Sequence, residues 1–305
     1  MTLPATISYE EGEAALDWIG LTDALAAGHA LPRAEIGDTF LYRGEDTLLS
    51  RSAWIDGMGI AVKTATIFPG NRARDLPAVN GGVTLYDDCN GRLEAIVDFH
   101  LVTKWKTAAD SLLAARKLAR PDSRSILILG AGSVARALRE AYGAGFPSAS
   151  FSVWNRTPQG AQALCDAYPD TVVATDLAQA VASADIIASA TMATDPILKG
   201  DWLRPGTHVD LIGAYRPDMR EADDKVLQMS RIFVDSFDTT LDHIGELKIP
   251  LANGVIGGAD VLADFYDLGA FGRRNVDDIT LFKNGGGAHL DLMTARYILD
   301  RWRLR

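Results

Sequence analysis

Cysteine is nearly absent. Cys89 and Cys165 are the only two in 305 residues, and they form no C-x-x-C pair. That spacing indicates neither a disulfide framework nor a zinc site, and it suits a reducing compartment. No metal is expected. Cationic excess is missing too: Lys and Arg number 30 against 40 Asp and Glu, a formal net charge of -10. A phosphate-backbone partner selects a basic face, so no nucleic acid partner is expected. No stretch approaches the roughly 20 uninterrupted apolar residues of a membrane helix. The opening MTLPATISYEEGEA carries early acids and no apolar signal core. Together these absences lead us to expect a cytoplasmic protein without membrane partners.

What remains is globular material. Hydrophobic residues make up 48% and charged residues 23%, enough to build a core in a soluble chain. The length exceeds one domain of about 100 to 200 residues, so two domains are expected. Residues 10–30, rich in Ala, Leu and Glu, predict one opening helix. DTFLYRG, DTLLSRSAWIDG, GIAVKTATIFPG, GGVTLYDDCNG and RLEAIVDFH then read as strands of an antiparallel or mixed sheet. Residues 101–119 predict a helix linking to a second domain. From residue 125 short apolar strands alternate with Ala-rich helices, a βαβ rhythm that predicts a parallel sheet. Residues 290–302 predict an amphipathic helix that packs back on the first domain.

One motif carries chemistry directly. The run Ile126-Leu127-Ile128-Leu129 enters Gly130-Ala131-Gly132-Ser133-Val134-Ala135, a GxGxxA turn between a buried strand and a helix. Gly130 permits the tight turn, Gly132 lets backbone approach a pyrophosphate, and Ala135 allows close helix packing. Free N–H groups at the helix start face the phosphates. The next strand ends at Asn155-Arg156-Thr157. An NAD-selective site places an acid there for the ribose 2'-hydroxyl, whereas an Arg suits a 2'-phosphate. NADP(H) is therefore preferred, with NAD(H) left open. Ala190-Thr191-Met192, after the strand DIIASA, is expected beside the cofactor at the carboxyl edge of the sheet.

With these residues in hand, the chain resembles the ornithine cyclodeaminase and mu-crystallin family. GIAVKTATIFP, GGVTLYDDCNGRLEAIVDFHLVTKWKTAA, LILGAGSVA, VWNRT, ATMATDPIL, GTHVDLIGAYRPDMREAD and IFVDS carry the resemblance in order. It implies an α/β chain: a Rossmann dinucleotide-binding domain over 119–289, and a discontinuous α+β substrate and dimerisation domain built from 1–118 with 290–305. It further implies a homodimer and a small imino or amino acid substrate. Lys63 is implied as the catalytic residue, one that polarises or protonates the reacting group. Lys106 is implied at the substrate, where the family usually has Arg; a lysine keeps the charge but loses the bidentate fork. Arg33 and Arg51 compete as the substrate carboxylate's partner. Cyclodeaminases carry an Asp where this chain has Tyr215, and a phenol does not replace an ionised carboxylate at neutral pH.

The resemblance thus implies reduction of a C=N bond next to a carboxylate, as in Δ1-pyrroline-2-carboxylate or Δ1-piperideine-2-carboxylate, and a role in amino acid metabolism. Three alternatives stay open: ammonia-releasing cyclisation of ornithine, an alanine dehydrogenase-like reaction, and a non-catalytic NADP(H)-dependent ligand binder. Asp291 reads as a helix-start acid favoured by the dipole at least as readily as a catalytic group. His243, Glu246 and His289 receive no role.

Overall fold

A computed structural model describes residues 3–305. Its elements in chain order are β1 (Ala5–Ile7), α1 (Tyr9–Glu13), α2 (Trp18–His29), β2 (Glu35–Arg43), β3 (Asp46–Ile55), β4 (Gly59–Ile67), β5 (Val79–Tyr86), β6 (Leu93–Asp98) and α3 (Phe99–Leu118). These are followed by β7 (Ser125–Leu129), α4 (Ser133–Gly145), β8 (Ser150–Trp154), α5 (Pro158–Ala167), β9 (Thr171–Val173), α6 (Leu177–Ser183), β10 (Ile186–Ser189) and β11 (His208–Leu211). The remainder are α7 (Asp224–Met229), β12 (Ser230–Val234), α8 (Phe237–Thr240), α9 (Gly245–Ala252), β13 (Val261–Ala263), β14 (Ile279–Lys283) and α10 (Ala288–Arg303). The chain divides into two compact units, Met1–Lys106 with Gly287–Arg305, and Thr107–Gly286. The first boundary falls within α3, ahead of position 118, and the second immediately before α10.

The first unit is built on a six-stranded sheet of order β1-β6-β5-β4-β3-β2. Strands β2 to β6 form an antiparallel meander and β1 joins β6 in parallel, so the sheet is mixed. Side chains alternate between faces of a strand, and in β4 this buries Gly59, Ala61, Lys63 and Ala65 on one side. Three small residues around one lysine leave that face room for long cationic chains. Helix α10 packs on β3, β4 and α2, burying His289, Leu290 and Asp291 in its first turn. It is tied down by the Arg296 ion pair with Glu94 at 2.5 Å and by the Tyr297 hydroxyl, which donates to Asp17 at 2.9 Å.

The single opening helix expected over residues 10–30 is instead two. Ser8 and Glu11 form a capping box at the start of α1. Asp17 then leaves the helical region at φ -137° and accepts the Gly20 N–H at 2.6 Å, starting α2 afresh. Side-chain capping of free N–H groups fixes where a helix begins, and two such caps in so short a span divide it.

The second unit holds an eight-stranded, wholly parallel sheet of order β13-β12-β14-β11-β10-β7-β8-β9. Its central strands are continuous apolar runs, Ile126 to Leu129 and Ile186 to Ala188, all buried, as a sheet covered on both faces requires. From β7 the chain builds outward to β8 and β9, then crosses back to β10 and builds the other way. Strand order therefore reverses between β7 and β10, the place where open α/β sheets bind ligands. Charge is also sealed inside this unit. The Tyr142 hydroxyl donates to Asp210 at 2.7 Å, and the fully buried Lys283 ammonium donates to the carbonyls of Leu211 and Asn284 at 2.9 and 2.8 Å.

Candidate active site

In the first unit the sheet register assembles a row of charges. Asp38 on β2 stands opposite Arg51 on β3, and Arg51 stands opposite Lys63 on β4. Directly opposed residues share a face with their side chains in reach. The Arg51 guanidinium bonds Asp38 at 2.8 Å. The Lys63 ammonium turns to α10 and donates to Asp291 at 2.8 Å, with both side chains buried, and it lies 4.7 Å from the centre of the Phe99 ring. Lys106 on α3 is buried as well and reaches 3.9 Å from the same Asp291 oxygen. Its helix is held by Trp105, whose indole N–H donates to Glu13 at 2.6 Å and whose ring stacks on Trp18 at 3.8 Å.

One buried carboxylate thus faces several cations, and the electrostatics follow. Burial penalises the Lys63 ammonium most; Asp291 opposes that, while Lys106 and Arg51 add to it, leaving a pKa of about 8. Burial pushes the Asp291 carboxyl up, yet Lys63, Lys106 and Arg51 together hold it below its ordinary value. His289 is fully buried, its ring edge-on to His29 with centres 5.2 Å apart. Burial keeps its imidazole neutral, reinforced by the charges of His29, Lys106, Arg51 and Arg33. Arg33 itself is exposed. Lys63, Lys106, Arg51 and Arg33 therefore surround the start of α10. Tyr215 lies in the second unit, 57% exposed, with the Arg216 guanidinium 5.8 Å from its ring.

In the second unit the turn after β7 has the form a dinucleotide requires. Gly130 adopts φ +102°, a conformation only glycine takes without strain, and a Cβ there would lie 2.6 Å from the Ala190 carbonyl oxygen. Gly132 caps α4 in extended geometry, and nothing lies within 4 Å of where its Cβ would stand. That opening at the start of a 13-residue helix fits a pyrophosphate. Ala135 is fully buried where α4 meets the sheet, while Ala131, Ser133 and Val134 border the opening. At the end of β8 the Asn155 amide donates to the Thr157 carbonyl and hydroxyl at 2.9 and 2.8 Å, and Arg156 projects into solvent. Met192 is exposed beside Ala190 and Thr191. The Thr191 hydroxyl, however, is turned inward, onto Glu221 at 2.7 Å.

Two groups of importance escaped the sequence reading. Asp291 is the buried counter-ion of Lys63, and its place in the first turn of α10 made it resemble a routine helix acid. Glu221 and Glu246 are buried carboxylates that accept backbone N–H groups; Glu221 sits among charged residues in RPDMREAD, so its local sequence gives no signal of burial. Among the described residues no group of three or more His, Cys, Asp or Glu is placed to hold a metal ion, and no helix is long and apolar enough to cross a membrane.

Comparison with known proteins places this geometry. The model of the ornithine cyclodeaminase/mu-crystallin family matches residues 54–305. A Delta(1)-pyrroline-2-carboxylate reductase of Paracoccus denitrificans is 53% identical over 303 residues, covering 97% of this chain and 96% of that protein. The ketimine reductase mu-crystallin of Mus musculus is 33% identical over 245 residues, 80% of this chain and 76% of its own. Among solved structures, Thermococcus litoralis Delta(1)-pyrroline-2-carboxylate reductase in complex with NADH and L-proline superimposes with a TM-score of 0.88 at 26% identity, covering 97% of each chain. An archaeal alanine dehydrogenase dimer with bound NAD gives 0.89 at 25% identity, covering 98% of this chain and 95% of its own.

The Lys63–Asp291 pair yields a direct expectation. Asp291→Asn removes the influence that raises the Lys63 ammonium, so its titration midpoint falls below about 8, as followed by NMR of the ε-methylene. Leaving a buried charge unpaired also costs about 3 to 5 kcal/mol, to be seen in denaturant unfolding. An unchanged midpoint would contradict this account of the pair.

Proposed function

The chain belongs to the ornithine cyclodeaminase/mu-crystallin family, and on that footing we propose that it is an NAD(P)H-dependent reductase of a C=N bond adjacent to a carboxylate. The substrate is a cyclic ketimine such as Δ1-pyrroline-2-carboxylate or Δ1-piperideine-2-carboxylate, and the product is the cyclic L-amino acid. One observation carries the reading: Lys63 and Lys106 are buried around a single carboxylate, Asp291, with Arg51 beside them. Such a surplus of buried cations is relieved by an anionic substrate.

The roles divide as follows. Lys106 and an arginine, Arg51 or Arg33, hold the substrate carboxylate and so orient the imine carbon. Lys63 sits between charge states near neutrality, so its Nζ supplies the proton that the reduced nitrogen takes up. Asp291 fixes the Lys63 rotamer and keeps its ammonium populated at working pH. In the second unit the backbone of Gly130 to Val134 would hold the pyrophosphate, with the loop at Ala190 to Met192 beside that glycine turn. When bound, the nicotinamide supplies the hydride for the imine carbon. Tyr215 argues against ornithine cyclisation, because an exposed phenol has no carboxylate to engage the second amine. An alanine dehydrogenase-like reaction on an open-chain imine uses the same residues.

The cofactor preference rests on Arg156. It stands exposed at the end of β8 in a turn without an acid, and a guanidinium there suits a 2'-phosphate. The homodimer rests on the edge strand β2, which exposes Phe40, Leu41 and Tyr42 by 47, 60 and 73%. An apolar row on an open edge is one that a second copy covers, and the archaeal alanine dehydrogenase with this fold is a dimer.

Oxidation of NADPH is expected with both cyclic imines, faster than ammonia release from ornithine. Lys63→Met should abolish turnover and spare cofactor affinity. Faster ammonia release, or an active Lys63→Met, would overturn the reaction or the role. NADPH should bind more tightly than NADH, and Arg156→Ala should weaken NADPH by about tenfold while leaving NADH nearly unchanged; equal losses would refute the phosphate contact. Light scattering should give twice the mass of the chain, a value that Leu41→Asp with Tyr42→Asp halves.

A further inference from the structure

We propose that Glu221 is a positioning residue of the dinucleotide site. Its carboxylate sets the loops that leave β10 and β11, and through them the wall of the crevice beside the Gly130 turn. The proposal rests on the cofactor reading above.

Strands β7 and β10 are paired in parallel, with Leu129 opposite Ser189, and the crevice opens where their carboxyl ends emit Gly130 and Ala190. The two loops are in intimate contact, since a Cβ on Gly130 would stand 2.6 Å from the Ala190 oxygen and 3.5 Å from Thr191 Cγ2. The position of residues 190 and 191 therefore decides the form of the glycine turn.

Beyond the last ladder bond, the Ala190 N–H to the Leu129 carbonyl at 2.8 Å, the β10 loop leaves the sheet. Buried backbone N–H groups there require another acceptor. Glu221 provides it. Its Oε1 accepts the Ser189 hydroxyl at 2.6 Å and both the N–H and hydroxyl of Thr191 at 2.7 Å. Its Oε2 accepts the N–H of Gly213 at 2.6 Å and of Ala214 at 3.3 Å. One carboxylate thus receives five donors from two loops.

Glu221 is itself immobilised. It is fully buried, its N–H donates to Glu246 at 2.7 Å, and its carbonyl accepts the N–H groups of Ile197 and Leu198 at 2.9 Å. Lys283 supplies the compensating charge. Because both the N–H and the hydroxyl of Thr191 are spent on Glu221, Thr191 turns Cγ2 toward the Gly130 turn in place of a hydroxyl.

The test titrates NADPH and NADH into the full-length wild type, Glu221→Gln and Thr191→Val, following quenching of tryptophan fluorescence, with circular dichroism to verify folding. Gln keeps one acceptor oxygen but sets an NH2 against the Gly213 N–H. Glu221→Gln should raise the dissociation constants of both cofactors alike by about tenfold, with kcat at saturating cofactor and the KM for imine within about threefold of wild type. Thr191→Val, which removes one bond and keeps the volume, should raise them by about threefold. A residue that only stabilised the unit would lower the melting temperature and leave these constants in place. Folded Glu221→Gln with wild-type constants overturns the proposal; if Glu221→Gln does not fold, wild-type constants in Thr191→Val do the same. A wild type that binds neither cofactor overturns the cofactor reading and this proposal with it.

Discussion

A lysine buried on a sheet face keeps its charge only beside an opposing one, and in the first unit Asp291 is that charge. The cost of removing an ammonium from water amounts to several kcal/mol, and here it is offset by a 2.8 Å contact between residues far apart in sequence. Everything around the pair serves it. Alternation along β4 turns Lys63 inward among alanines, and α10 is clamped to the sheet by Arg296 and to the start of α2 by Tyr297, which fixes the carboxylate's height. Lys106 arrives from a helix locked by stacked indoles. The result is a cluster in which two buried lysines share one buried carboxylate.

The second unit solves the converse problem, burying carboxylates. Glu221, Glu246, Asp210 and Asp235 are all inaccessible, and burial raises each of them above the ordinary range. Glu221 and Asp235 accept backbone N–H groups just past the carboxyl ends of β10, β11, β12 and β14, where the ladder stops, while Glu246 accepts those of Glu221 and Ala222 and Asp210 the Tyr142 hydroxyl. Rossmann folds expose those ends to ligands, so the groups that tidy them from behind shape the ligand surface from beneath.

Much of this was readable in the residues alone. Short runs of β-branched, aromatic and aliphatic residues punctuated by Gly, Asp and Asn marked β2 to β6, and the glycine turn between apolar runs marked β7 and α4, because both signals are local. The double cap at Ser8 and Asp17 was overlooked in favour of continuous Ala-Leu texture, so one helix was expected where two form. Three-residue strands such as β1 and β13 are too short to show a period. Asp291 and Glu221 were hidden for another reason: their meaning comes from partners contributed by other elements, and a lone acid in a sequence carries no record of the cation or amide it will meet.

The pairing of Lys63 with a residue 228 positions later has a consequence for biosynthesis. On the ribosome the contiguous segment Thr107–Gly286 emerges whole and free to collapse as one body, whereas β4 must wait with an uncompensated ammonium until α10 leaves the exit tunnel. Closure of the first unit around Lys63 is thereby deferred until α10 has been made, and a nascent chain that stalls before α10 leaves Lys63 without the Asp291 carboxylate.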